Sequence, residues 1–196
     1  MTSDGHWQAK SPGRAAFGAS FDLSDATLDA LNQKFPGAEF VRSDCNRFCS
    51  IIIKAPTEAV FRLYNPNSGE HFYTRAAAEK NQLITSGWQN EAVGFEATTI
   101  GLPVYRVYNP NAGDHHYTTS ASEVQALVAT GWQEEGISFY AYDPAAFTLA
   151  EKALTPVYRL YNPNAKAGAH HYTENVGERD HLVQAGWQAE GVAWYE

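Results

Sequence analysis

The stretch Val104-Tyr-Arg-Val-Tyr-Asn-Pro-Asn111 decides how the rest of the chain is read, because it occurs three times. It stands earlier as Val60-Phe-Arg-Leu-Tyr-Asn-Pro-Asn67 and later as Val157-Tyr-Arg-Leu-Tyr-Asn-Pro-Asn164. Reading outward, each copy is followed by a second matching segment: Gly69-Glu-His-Phe-Tyr-Thr74, Gly113-Asp-His-His-Tyr-Thr118 and Gly168-Ala-His-His-Tyr-Thr173. Then come Gly87-Trp88, Gly131-Trp132 and Gly186-Trp187, and last an acidic residue leading into an aromatic run, Glu91 to Phe95, Glu135 to Tyr140 and Glu190 to Tyr195. Self-similarity of this kind is the mark of a fold assembled from copies of one supersecondary unit.

Each unit reads as strand, turn, short strand, helix, strand. The opening segment is β-branched and aromatic, as strands are. Asn-Pro-Asn with a following Gly is turn chemistry, since Pro presets φ and Asn and Gly tolerate the tight positions. Ser120-Ala-Ser-Glu123 and Asn175-Val-Gly-Glu178 carry the capping-box pattern of a helix start, whereas Ala76 stands at that place in the first copy and offers no cap. The Gly before each Trp suits the residue just past a helix end. A helix of two or three turns is not stable alone and requires packing. The expected fold is therefore α+β: three such units, 60–96, 104–140 and 157–196, about a pseudo-threefold axis. Residues 1–59 form an α/β cap, or a decayed fourth copy, with a strand at Arg14–Phe21, a helix capped by Ser24 over Asp25–Phe35, and strands at Phe40-Val41 and Ile51–Ile53.

The chain has 196 residues, 44% of them apolar, 13% aromatic and only 18% charged, a globular composition. Its formal charge of −8, with no basic patch, argues against nucleic acid. No apolar run reaches the length of a membrane-spanning helix, so no membrane partner is expected. Met1 to Arg14 is polar and lacks the pattern of a secretion signal, so the chain is either cytoplasmic or a piece of a longer secreted one. Cys45 and Cys49 are either reduced or joined in a short local disulfide; neither reading is catalytic.

The copied string Tyr-Arg-Leu-Tyr-Asn-Pro-Asn, His-Tyr-Thr, Gly-Trp and Glu-Gly-Val-Ala-Trp-Tyr resembles a tandem repeat family of about 40 residues per unit, catalogued as a domain of unknown function. That family is often appended to secreted bacterial hydrolases, cell-wall lytic enzymes among them. The resemblance covers Val60 to Glu196 and implies an extracellular or cell-surface accessory module; it carries over no catalytic residue. Phe72, where the other copies have His116 and His171, and Ala92, where they have Gly136 and Gly191, depart from the pattern.

Three sets of side chains invite a chemical reading. The aromatics and their turn neighbours (Tyr64, Asn65, His71, Tyr73 and Trp88; Tyr108, Asn109, His115, Tyr117 and Trp132; Tyr161, Asn162, His170, Tyr172 and Trp187) supply faces that stack on sugar rings and groups that read hydroxyls. Three weak sites would gain avidity on a polymer. Arg62, Arg106 and Arg159 lie within strands, and Glu91, Glu135 and Glu190 stand at matching positions, so ion pairs that satisfy a charge on each strand are expected. His71, His115 and His170 would form a three-histidine metal site only if they converged, and the expectation is no metal and no cofactor. Catalytic signatures such as GxSxG and HExxH are missing from the sequence. The expected function is non-catalytic recognition of a glycan, cell-wall or other polymeric saccharide, by a monomer. A protein-interaction or inhibitor module is the alternative, and a metal-dependent hydrolase the third.

Overall fold

A computed structural model describes residues 13–16, 25–34, 39–42, 50–54, 56–143, 154–165 and 169–196. The chain divides into two compact units: Met1–Pro56 with Asp143–Lys152, and Thr57–Tyr142 with Ala153–Glu196. In the first, β1 (Gly13–Ala16), α1 (Asp25–Lys34), β2 (Glu39–Arg42) and β3 (Ser50–Lys54) make an antiparallel sheet in the order β1-β3-β2 with one helix. Leu28 of that helix is buried. Ser24, Phe35, the end of the first expected strand and both cysteines lie outside the described residues.

The second unit holds three hairpin groups. The first runs β4 (Thr57–Tyr64), β5 (His71–Thr74), α2 (Ala77–Thr85) and β6 (Gln89–Thr98). The second is β7 (Leu102–Asn109), β8 (Asp114–Thr118), α3 (Ala121–Ala129) and β9 (Gln133–Ala141). The third is β10 (Pro156–Tyr161), β11 (His170–Thr173), α4 (Val176–Gln184) and β12 (Gln188–Tyr195).

The expectation of an α+β fold about a pseudo-threefold axis is corrected here. The unit is mainly antiparallel β: one curled half-barrel sheet in the order β5-β4-β6-β9-β7-β8 and a small sheet in the order β11-β10-β12. The first two groups share a sheet because β6 and β7 are joined by only Thr99, Ile100 and Gly101, which brings β6 beside β9 at Thr98↔Tyr140. Gly101 has φ +146°, and a Cβ there would strike the carbonyl oxygen of Ala141. Between β9 and β10 the chain instead passes through Asp143–Lys152, which belongs to the other unit. The third group therefore keeps its own sheet; an isolated backbone bridge, Tyr142↔Tyr195, joins it to the end of the second, beside side-chain contacts such as Phe139 with Trp194. Nor do the helices form a layer: α2 and α4 bury no residue and α3 buries only Val124.

The core explains why strands dominate. In β4, β7 and β10 the residues Val60, Leu63, Val104, Val107, Val157 and Leu160 are fully buried. The long last strands deliver Phe95, Phe139 and Trp194, whose rings pack edge to face at 5.4–5.9 Å. Each also stacks on one tyrosine of the short strands: Phe95 on Tyr73, Phe139 on Tyr117 and Trp194 on Tyr172. Sheet faces that supply so many large rings leave little apolar surface for the helices to cover.

Candidate functional site

Tyr73, Tyr117 and Tyr172 form a closed ring of hydrogen bonds at the heart of this core. Tyr117 Oη donates to the Tyr73 carbonyl and accepts the Tyr73 amide; Tyr172 Oη does the same to Tyr117, and Tyr73 Oη to Tyr172. All three are at most 1% exposed, so their hydroxyls are satisfied without water. Burial pushes the three phenols above their ordinary pKa, which keeps them neutral donors. This removes Tyr73, Tyr117 and Tyr172 from the expected ligand contacts: they hold the fold together. The sequence marks them as recurring but carries no sign of burial.

Asn65, Asn109 and Asn162 are likewise committed. Their side-chain oxygens accept the backbone N–H groups of Asn67, Asn111 and Asn164 at 3.0 Å, each closing its own turn. The turns set the register that places Tyr64 opposite His71, Tyr108 opposite His115 and Tyr161 opposite His170. These cross-strand pairs put their rings 5.1, 4.8 and 5.3 Å apart with similar tilts. All six side chains are half-buried.

Beside each pair lies an arginine. Arg62 Nε is 2.9 Å from Glu91, Arg106 Nε 2.6 Å from Glu135 and Arg159 Nε 2.9 Å from Glu190. The Arg62–Glu91 contact is an ion pair by distance, although its N–H does not point at the oxygen. Each arginine also reaches a second carboxylate, from the helix of another hairpin group. Arg62 Nη1 meets Glu178 at 3.0 Å, Arg106 Nη1 meets Glu79 at 3.1 Å and Arg159 Nη1 meets Glu123 at 3.2 Å. The helix glutamates lie in first turns, where Ser120 and Asn175 accept the N–H of Glu123 and Glu178; Ala76 offers α2 no such bond. Glu123 is held down to about 2, first by His116, then with help from Thr118 and Arg159. The second carboxylate is the residue set that sequence reasoning missed. The capping-box glutamates were visible, but nothing local says that they face a different hairpin.

The histidines complete three unequal junctions. His71 packs edge-on against His171 at 4.4 Å, His170 against His116 at 4.5 Å, and His115 against Phe72 at 4.8 Å. Phe72 thus substitutes a ring without nitrogen at one junction. Burial, then the neighbouring histidine and arginine, pushes His71 and His170 down to about 3. His115 Nδ1 lies 2.5 Å from buried Glu70, whereas Nδ1 of His71 and of His170 has no hydrogen-bond partner among the described residues. The three-histidine metal arrangement is not assembled: His71, His115 and His170 each face a different junction. Among the described residues no group of three or more His, Cys, Asp or Glu is placed to hold a metal ion. Trp88, Trp132 and Trp187 are half-buried against Phe72, His116 and His171, at 6.0, 6.3 and 6.2 Å.

A β domain of three hairpin groups, locked by a tyrosine ring and bridged by arginines, is the class defined by this geometry. Residues 59–196 match the model of the family described as Domain of unknown function (DUF5648), and the chain belongs to that family. Neither the curated proteins nor the solved structures returned a match.

Proposed function

We propose that the DUF5648 domain of this chain is a non-catalytic module that recognises a glycan, a cell-wall or other polymeric saccharide, outside the cell. In this reading it is a tandem-repeat accessory domain of the kind appended to secreted hydrolases. The observation that supports it is the half-buried Tyr–His pair presented three times beside carboxylates: Tyr64–His71, Tyr108–His115 and Tyr161–His170. An aromatic face next to hydrogen-bonding groups is what sugar rings require. Three copies on one domain favour a polymer, where avidity multiplies weak sites.

The test is co-sedimentation of the protein with insoluble peptidoglycan and a panel of polysaccharides, with soluble sugars as competitors. Retention reversed by a defined sugar, and weakened in the variant Tyr64→Ala/Tyr108→Ala/Tyr161→Ala at unchanged thermal stability, is the expected result. Absence of retention on every glycan overturns the reading.

A protein-binding module is the second reading, and a specific observation favours it. Ile84, Val128 and Val183 on the helices, and Val93, Ile137 and Val192 on the last strands, are 38–46% exposed at matching places in the three groups. A stable partner recovered without any sugar binding would select this alternative.

A further inference from the structure

The three junctions share a charge arrangement that bears on which saccharide they accept. Each sets one guanidinium against two carboxylates: Arg62 with Glu91 and Glu178, Arg106 with Glu135 and Glu79, Arg159 with Glu190 and Glu123. The arginines are the deeper groups, 16–23% exposed, and the carboxylates the shallower, 31–34% exposed. A ligand approaching from solvent meets negative charge first. Each guanidinium is already committed to two carboxylates, and Arg106 also lies over the Phe72 ring at 4.8 Å. His71 and His170, neutral from burial, add no positive charge at ordinary pH. The other described cations of this unit are engaged elsewhere: Arg75 with Glu58, Lys80 over Phe61, Arg179 with Asp180 and over Tyr158.

We infer that these junctions select a saccharide bearing protonated amines, an amino sugar polymer, and reject uronic-acid and other anionic glycans. The inference rests on the glycan reading above and names its substrate class. Each junction sets two carboxylates against one guanidinium, so an ammonium group meets a net negative charge on the shallower side and an adjacent tyrosine face, which attracts cations through its π-electrons. An anion finds no uncommitted Lys or Arg among the described residues of this unit and meets repulsion from the outer carboxylates.

The deciding comparison is retention on four polymers: polyglucosamine, the same polymer after N-acetylation, cellulose and a polyuronate. Polyglucosamine should retain the protein about tenfold better than its acetylated form, with the advantage declining as salt rises. The polyuronate should retain none. Because an acidic chain adheres to any polycation, the variant Tyr64→Ala/Tyr108→Ala/Tyr161→Ala, which keeps the net charge, is measured alongside. At unchanged thermal stability it should lose most of the retention. Equal retention by that variant overturns the inference as non-specific charge binding. Equal retention on acetylated polymer and cellulose, or preference for the polyuronate, also overturns it while leaving the glycan reading standing. Failure to bind all four polymers and peptidoglycan overturns both.

Discussion

Tyr117 places its hydroxyl between the two backbone groups of Tyr73, donating to the carbonyl at 3.0 Å and accepting the amide at 3.0 Å. One side chain thus does for a residue of another hairpin what a neighbouring strand would do. The substitution Tyr117→Phe keeps the ring stacking on Phe139 and strands both backbone groups of Tyr73. A loss of about 1–3 kcal/mol in urea unfolding is expected. Adding Tyr172→Phe should cost less than a second full increment, because the ring is already open. Strict additivity would show that the three hydroxyls act independently.

Ala92 carries φ +68° at a bulge where Gly136 and Gly191 have +86° and +93°. An alanine pays about 1 kcal/mol to stand in that region. Ala92→Gly should therefore stabilise the domain by about 0.5–1 kcal/mol, and Gly136→Ala should destabilise it by a similar amount. No neighbour lies within 4 Å of a Cβ built at Gly136, so backbone strain alone sets the second value. Thermal denaturation of the two variants checks the opposite signs.

Helix α2 begins without a side-chain cap, whereas Ser120 and Asn175 supply one to α3 and α4. Ala76→Ser should add about 1 kcal/mol, and Ser120→Ala should remove about as much. Amide exchange in the first turn of each helix gives a local reading, slowed in the first variant and accelerated in the second.

Acid and alkali should destabilise the domain by different routes. His71 and His170 drop from 6.5 to about 3 on folding, so the native state excludes protons that the unfolded chain binds. Stability from these groups is complete above pH 6.5 and is lost as pH falls toward 3. Glu123, lowered from 4.5 to about 2, adds a second loss below pH 4.5. Glu196 runs the other way: burial, then Glu174, raises it from 4.5 to about 9, so its contribution is present below pH 4.5 and is lost as pH rises to 9. Melting temperature should therefore peak in the weakly acid range. Glu196→Gln should flatten the alkaline side and leave the acid side in place; an unchanged profile would contradict the assignment.

The recurring strands, turns and helix starts could be read from residue order because they depend on near neighbours: Asn-Pro-Asn turns, capping glutamates, alternating apolar strands. The union of two groups in one sheet depends instead on the short Thr99–Gly101 link and the longer excursion before Pro156. Linker length hinted at that difference without disclosing which edges would pair. Arg62 could be matched with Glu91, which returns on the neighbouring strand, but not with Glu178, which arrives from a distant helix. Tyr73 and Tyr64 look alike as letters. Only the assembled sheets put one in the dry core and leave the other half-buried.

The tyrosine ring of this chain closes on three hairpins. Every hydroxyl in the ring serves the hairpin of another residue, and the last serves the first. The number of hairpins the ring accommodates is thereby set at three. A chain trimmed to two hairpins would expose an unsatisfied end on each, and a fourth could not enter without breaking a bond already made.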